Sequence, residues 1–143
     1  MSTYVLWLDI NADSSPSFLE KLSQYQWVQT FTEVDDCVEY IKSHMMQNLF
    51  VVASGSLAKV LVPQVHQSSN IKQIFIFSAS IASHTEWAMD YIDELLMFDH
   101  PDDLLERLWI TMERFFQEQA QIYIEQAEKS KERAKQYKQP SCG

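Results

Sequence analysis

The residues best suited to chemistry in this chain lie where apolar runs end. Asp9 and Asn11 follow the first such run, Ser54-Gly55-Ser56 ends another, and Ser78 and Asp99 follow two later ones. Carboxylate and amide oxygens are ligands for hard cations such as Mg²⁺. A glycine turn that opens a helix presents backbone N–H groups to a phosphate. These residues therefore form a candidate ligand crevice.

Each of these features also has a structural explanation. Asp9 with Asp13 or Asp99 could hold a cation, but acids at strand ends also cap loops. Lys59 is the only basic residue near Ser54-Gly55-Ser56, so Gly55 is explained equally well by a positive φ or by a close approach of the backbone. A nucleophile elbow is excluded, because G-x-S-x-G needs two glycines. A structural turn is the preferred interpretation.

The remaining residue types add no catalytic or metal site. The histidines lie on different predicted elements, at spacings that do not suit a metal: His44, His66, His84 and His100. The four tryptophans fall on strand or helix faces and are expected to pack in the core or at its rim. We expect no cofactor, no metal and no catalytic residues.

Apolar runs alternate with helical patterns along the chain. The runs that predict strands span residues 4–8, 27–31, 49–53, 71–77 and 94–98. The run at 49–53 has no polar alternation, as expected of a parallel strand covered on both faces. It is therefore expected to be central.

Helix signals stand between these runs. Ser15-Pro16 is typical of a helix start, and Thr32-Glu33-Val34-Asp35 and Ser83-His84-Thr85-Glu86 have the form of capping boxes. Asp99 or His100 is expected to cap the last helix, and Pro101 to stand in its first turn. Pro63 is expected to interrupt or bend the helix after Gly55, because proline removes a helical N–H.

The alternation predicts an α/β fold of the flavodoxin-like, receiver-like type. Its sheet would have five parallel strands with helices on both faces, followed by an extended C-terminal helix. Parallel strands end at one edge, where ligands of such sheets usually bind. We predict an α/β domain over residues 1–116, a projecting helical extension over 117–138 and a disordered tail over 139–143.

Charge and composition exclude several classes of function. Of the 143 residues, 46% are hydrophobic, which suits one core. Residues 1–116 carry six basic and sixteen acidic side chains, whereas 117–143 carry five and four. An acidic body repels phosphate backbones and anionic lipid, so neither nucleic acid nor membrane is expected as a partner. Cys37 and Cys142 form no disulfide framework, and with no secretory signal pattern this predicts a cytoplasmic location.

The acid and hydroxyl positions resemble those of bacterial response-regulator receiver domains, across residues 3–116. By this resemblance Asp9 stands at the place of a magnesium-binding acid, and Ser78 at that of the hydroxyl residue that follows phosphorylation. Ser54, however, stands where the phosphoacceptor aspartate belongs, and Asp99 and His100 replace the family's lysine. The resemblance therefore implies a degenerate pseudo-receiver without phosphotransfer.

A closer resemblance is carried by five short motifs: Trp7-Leu8-Asp9 and the segments 52–57, 62–66, 74–77 and 86–88. They resemble the N-terminal domain of rotifer-type invertebrate proteins, in which a similar domain precedes an arginine ADP-ribosyltransferase domain or tetratricopeptide repeats. The motifs cover most of residues 4–116. The resemblance implies an accessory role and supplies no catalytic residues.

The end of the chain predicts one long helix with an interaction face. No Gly or Pro occurs from Asp102 to Lys138. Within it, a seam recurs at heptad-like spacings of four and three: Phe116, Ala120, Tyr123, Ala127, Ser130, Ala134 and Tyr137. Ser130 weakens the seam, and the alternative is a solvated, frayed linker. An isolated helix with so little apolar surface is marginal in water, which favours packing against a partner.

These observations predict a non-catalytic interaction module rather than an enzyme. It would form a homodimer, or dock on a following domain, through the C-terminal helix. The alternatives are a small-ligand or nucleotide-phosphate domain, sensing or hydrolysing at the strand-end crevice, and an accessory domain of an ADP-ribosyltransferase. The first is preferred, because the crevice residues are mainly acids and serines and include no acid–base pair or basic anchor.

Overall fold

The computed structural model of the chain describes residues 2–9 and 25–138. In this part of the chain five strands form one sheet: β1 (Thr3–Leu8), β2 (Val28–Phe31), β3 (Asn48–Ser54), β4 (Ile71–Phe77) and β5 (Leu95–Phe98). All pairings are parallel, in the order β2-β1-β3-β4-β5. The predicted α/β class, the five parallel strands and the central β3 are confirmed.

Four helices accompany these strands in the described residues: α1 (Val34–Ser43), α2 (Gly55–Val65), α3 (Thr85–Ala88) and α4 (Pro101–Lys138). Short 3₁₀ turns, Ile81–His84 and Met89–Tyr91, flank α3. The predicted helix start at Ser15-Pro16 lies outside the described residues. None of the described helices is both long enough and apolar enough to cross a bilayer.

The central strand is buried on both faces. Residues 48–53 of β3 are all buried, and successive side chains point to opposite sides of the sheet. Leu49, Val51 and Ala53 belong to one apolar cluster with the inward faces of α1 and α2. Phe50 and Val52 point the other way and are buried as well. This double burial explains why the strand has no polar alternation.

The buried side-chain amide of Asn70 joins the C-terminal end of α1 to the start of β4. Asn70 Nδ2 donates to the Ile41 carbonyl at 2.9 Å and to the His44 carbonyl at 3.1 Å. The backbone carbonyl of Asn70 accepts from the backbone N–H of Leu49 at 2.8 Å. Because Asn70 is almost fully buried, these bonds provide a donor for carbonyls at the end of α1, where helical partners run out. The His44 carbonyl also accepts from the Gln47 N–H at 3.0 Å.

Two local predictions about the helices are wrong, and a third is wrong in part. The N-cap of α1 is Glu33 rather than Thr32, and its side chain does not bond the N–H groups of the first turn. The segment 83–86 is no capping box either: Ser83 Oγ donates to the Ser80 carbonyl at 2.8 Å within a 3₁₀ turn. Helix α2 continues through Pro63, so the predicted interruption is wrong, whereas the alternative of a bend stays a prediction. Because proline has no N–H, the Lys59 carbonyl lacks its usual partner four residues on. Lys59 and Pro63 are both exposed, so water can donate to that carbonyl instead.

The chain divides into two compact units, Met1–Leu105 and Glu106–Gly143. The boundary falls inside α4, which is continuous over 38 residues. The predicted long helix is therefore confirmed, whereas the domain boundary after residue 116 stays a prediction. Leu108 and Met112 are buried, and nearly every residue from Phe116 to Tyr137 is exposed. The predicted tail at 139–143 lies outside the described residues.

Candidate functional site

The strand ends bring four of the predicted site residues to one edge of the sheet. Leu8 pairs with Ala53, so Asp9 and Ser54 leave neighbouring strands. The Asp9 N–H donates to the Phe31 carbonyl at 3.0 Å. Ser78 and Asp99 follow β4 and β5 at the same edge. Asn11 lies outside the described residues.

Gly55 begins α2 directly beneath an imidazole. A Cβ at this position would lie 2.5 Å from His84 Nε2 and 2.7 Å from His84 Cδ2. The φ of Gly55 is not positive. Of the two expectations for this glycine, close packing is confirmed and a positive φ is wrong. The residue must lack a side chain because the ring occupies that space.

The His84 ring is held in place by Trp87. The indole Nε1 donates to His84 Nδ1 at 3.1 Å, and the two rings meet edge to face. Because the indole nitrogen is only a donor, Nδ1 accepts and the neutral ring carries its proton on Nε2. An N–H donor thus lies against the first residue of α2.

Ser54 occupies the N-cap position of α2, but its side chain does not make the capping hydrogen bond. Its side chain makes no bond to the first turn, and within the described residues its buried Oγ has no hydrogen-bond partner. A buried hydroxyl left in this state costs roughly 1–3 kcal/mol. Among the predicted site residues that the structure describes, Ser54 has a buried polar atom without a hydrogen-bond partner.

The other crevice residues are exposed or engaged locally. Ser78 Oγ donates to the Ser80 carbonyl at 3.1 Å and accepts from the Ser80 N–H at 3.2 Å, which closes a tight loop. Ser56 is exposed in the first turn of α2. Asp99 Oδ1 lies 3.9 Å from His100 Nε2, and both side chains are largely exposed. Ser78 thus stabilises its own loop, and Ser56 and Asp99 are open to solvent.

An acidic cavity of about 440 Å³ lies at the same edge of the sheet. Its lining combines the start of α1 with the first turn of α2: Thr32, Glu33, Val34, Asp35 and Leu57. Two carboxylates and no base line it, so it disfavours a phosphate or another anion. Across residues 2–9 and 25–138, no three His, Cys, Asp or Glu side chains are grouped to hold a metal ion.

A smaller apolar cavity of about 200 Å³ lies between the α3 region and the edge strand β5. Its lining is almost wholly hydrocarbon: Ile81, Thr85, Ala88, Met89, Ile92, Leu95 and Met97. Met89 and Ile92 are exposed at its rim. The cavity offers apolar contact but no acid, base or nucleophile.

Two buried or half-buried groups have raised pKa values. Burial raises the pKa of the Cys37 thiol from 9.0 to about 12, so it stays protonated near neutral pH. Burial also raises the pKa of Tyr40, against the opposing effect of its hydrogen bond to Gln47 at 2.8 Å. A protonated, fully buried thiol is neither a nucleophile nor a metal ligand.

The interaction helix has an exposed apolar line in its second half. Phe116, Tyr123 and Tyr137 are 48%, 60% and 91% exposed. The alanines of the predicted seam, Ala120, Ala127 and Ala134, are exposed between them, as is Ser130. Ile122 and Ile124 flank Tyr123 and are also exposed.

Sequence reasoning missed His84 and Trp87 as neighbours of the crevice. Their separation of three residues was the available signal, because residues at this spacing meet on one side of a helical turn. The contact with Gly55 has no such local signal. Comparison with protein-family models, curated proteins and solved structures finds no match to this chain.

Proposed function

We propose that this chain is a non-catalytic protein-interaction module that self-associates through the exposed seam of α4. The observation that carries the proposal is the line of large apolar side chains at Phe116, Tyr123 and Tyr137, which α4 presents to solvent. Monomeric proteins rarely leave a long apolar line uncovered. A second helix would cover it.

The seam has the spacing and side-chain sizes that a helical partner needs. Its members recur every three or four residues, which keeps them on one face of an underwound helix. Small residues at Ala120, Ala127 and Ala134 allow a second helix to approach closely. A lone helix of this composition is marginal in water, so association would also stabilise α4.

The crevice supports the non-catalytic part of the proposal. Ser54 stands at the end of the central strand, where the receiver-type phosphoacceptor would need a carboxylate, and Lys59 in α2 is the nearest base in sequence. The strand order β2-β1-β3-β4-β5 is that of flavodoxin-like sheets. We therefore propose a pseudo-receiver, in keeping with the resemblance to accessory domains of rotifer-type proteins.

A second candidate function rests on Ser54. Its buried, unbonded hydroxyl and the N–H of His84 Nε2 both lie beside Gly55 at the crevice, as donors for a small polar ligand would. The acids Glu33 and Asp35 in the adjacent cavity argue for a neutral or cationic ligand rather than a nucleotide phosphate. This candidate ranks below self-association, because only one unsatisfied group supports it.

Sedimentation equilibrium over micromolar concentrations tests the proposal. The wild-type chain should show a concentration-dependent dimer mass, and Ala127→Glu should shift the chain to monomer by burying a charge in the seam. Gln121→Glu is the matched control, because it adds the same charge on the other side of α4 and should leave the dimer intact. A monomeric wild-type chain throughout this range would refute self-association.

A further inference from the structure

We infer that two copies of the chain pair their α4 helices antiparallel, with Phe116 of one copy opposite Ala134 of the other. The inference rests on the proposed function and adds the orientation and register of the partner. Two observations carry it: the order of large and small residues along the seam, and the order of charges along the same segment.

Side-chain size distinguishes the two orientations. In an antiparallel pair centred near residue 125, Phe116 faces Ala134 and Tyr123 faces Ala127 of the second copy. Phe116 and Tyr123 then each meet an alanine, and Ala120 meets Ser130, whereas Tyr137 lies opposite Glu113, beyond the end of the seam. A parallel pair in register would instead place Phe116 on Phe116 and Ala120 on Ala120. At a single interhelical distance, the pairs of large side chains would then clash and the pairs of alanines would leave cavities. Both are unfavourable.

Charge favours the same orientation. Residues 113–125 carry three acids and one base, net −2, whereas residues 126–138 carry five bases and two acids, net +3. Antiparallel pairing lays the acidic half of each helix along the basic half of the other. A parallel pair would align like with like. Because Glu118 and Glu125 lie on the face away from the seam, this repulsion acts at longer range and is screened by salt, so it adds to the size argument without replacing it.

The flanking positions complete the antiparallel arrangement. Ile124 borders the seam on one side and is 51% exposed. In this register it lies next to Ile124 of the second copy, near the two-fold axis, so its apolar surface is covered by its own counterpart. Gln126, on the other flank, lies near Gln126 of the second copy, where two amides can bond each other.

Site-directed cross-linking of the full chain tests the orientation. Cys142 is replaced by serine in all samples, and the remaining native thiol, Cys37, is buried. Gln126→Cys places a thiol beside the two-fold axis of the antiparallel pair. Ala134→Cys is the matched variant, because it would face its own counterpart only in a parallel pair. In the antiparallel pair its counterpart is 18 residues away along the axis, about 27 Å.

A short bismaleimide should link the two copies of Gln126→Cys into a covalent dimer. The yield of this dimer should be at least about tenfold higher than for Ala134→Cys, because the distance between the two thiols sets their effective concentration. Sedimentation of the same two samples, before cross-linking, separates the two proposals. Preferential cross-linking of Ala134→Cys would overturn the antiparallel orientation and keep the interaction module. Equal products, or a dimer in which neither variant cross-links, would also overturn the orientation. A chain that is monomeric and not cross-linked would overturn both.

Discussion

The contact between Gly55 and His84 gives the most direct test of how the crevice is built. A methyl group at position 55 would approach His84 Nε2 to 2.5 Å, well inside an ordinary non-bonded contact. The ring would have to move and stretch its 3.1 Å bond from Trp87 Nε1. Gly55→Ala should therefore cost overpacking of about 1–3 kcal/mol.

Part of that cost is offset by the unfolded state. Because the φ of Gly55 is not positive, alanine fits the backbone and reduces the entropy of the unfolded chain by about 0.4–1 kcal/mol. We expect a net loss of about 1–2 kcal/mol in the wild-type background. In a His84→Ala background the clash is gone, and the same substitution should stabilise by about 0.5 kcal/mol.

The double-mutant cycle is measured by urea unfolding, followed by far-UV circular dichroism so that the signal does not depend on Trp87. The expected coupling between positions 55 and 84 is about 1–3 kcal/mol. Ser56→Ala, one residue further on and exposed, is the control and should show no coupling to His84. Equal effects of Gly55→Ala in both backgrounds would refute the steric explanation of the glycine.

Two further predictions concern buried groups. Burial raises the pKa of Cys37 from 9.0 to about 12, so the folded state favours the protonated thiol. The stability that this thiol contributes is complete below pH 9 and is lost as the pH rises toward 12. Relative to Cys37→Ala, the free energy of unfolding of the wild-type chain should fall by about 1.4 kcal/mol between about pH 8 and pH 10. Matching urea midpoint shifts for both proteins would contradict this. Asn70→Ala should lower the free energy of unfolding by about 2–3 kcal/mol, because the Ile41 and His44 carbonyls lose their shared donor. The exposed Ser69→Ala should be neutral, and an equally neutral Asn70→Ala would show that water replaces the amide.

The strands were predictable because their signal is local. The unbroken apolar runs at residues 4–8 and 49–53 correspond to β1 and β3, where side chains on both faces are buried. The end of β1 and the start of α4 fall where sequence signals placed them, with Pro101 at the first helical position. These features depend on residues that are close together in the sequence, so they can be predicted from the sequence alone.

The capping boxes show where local patterns are insufficient. Ser83-His84-Thr85-Glu86 has the residue types of a helix start, yet Ser83 bonds within a 3₁₀ turn and His84 turns toward α2. A competing bond or contact of similar energy can override a capping preference of roughly 1 kcal/mol. Thr32 likewise does not cap α1, whose N-cap residue is Glu33.

The role of Gly55 was decided by the tertiary structure alone. Its position after a buried strand marked it as special, but the reason lies in His84, 29 residues further along the chain. The crossover from β3 through α2 to β4 brings these two segments to the same edge of the sheet. Ser54 is a similar case, because only the packed structure leaves its hydroxyl buried without a partner among the described residues. Contacts between distant segments depend on the packing of whole elements, so no local spacing encodes them.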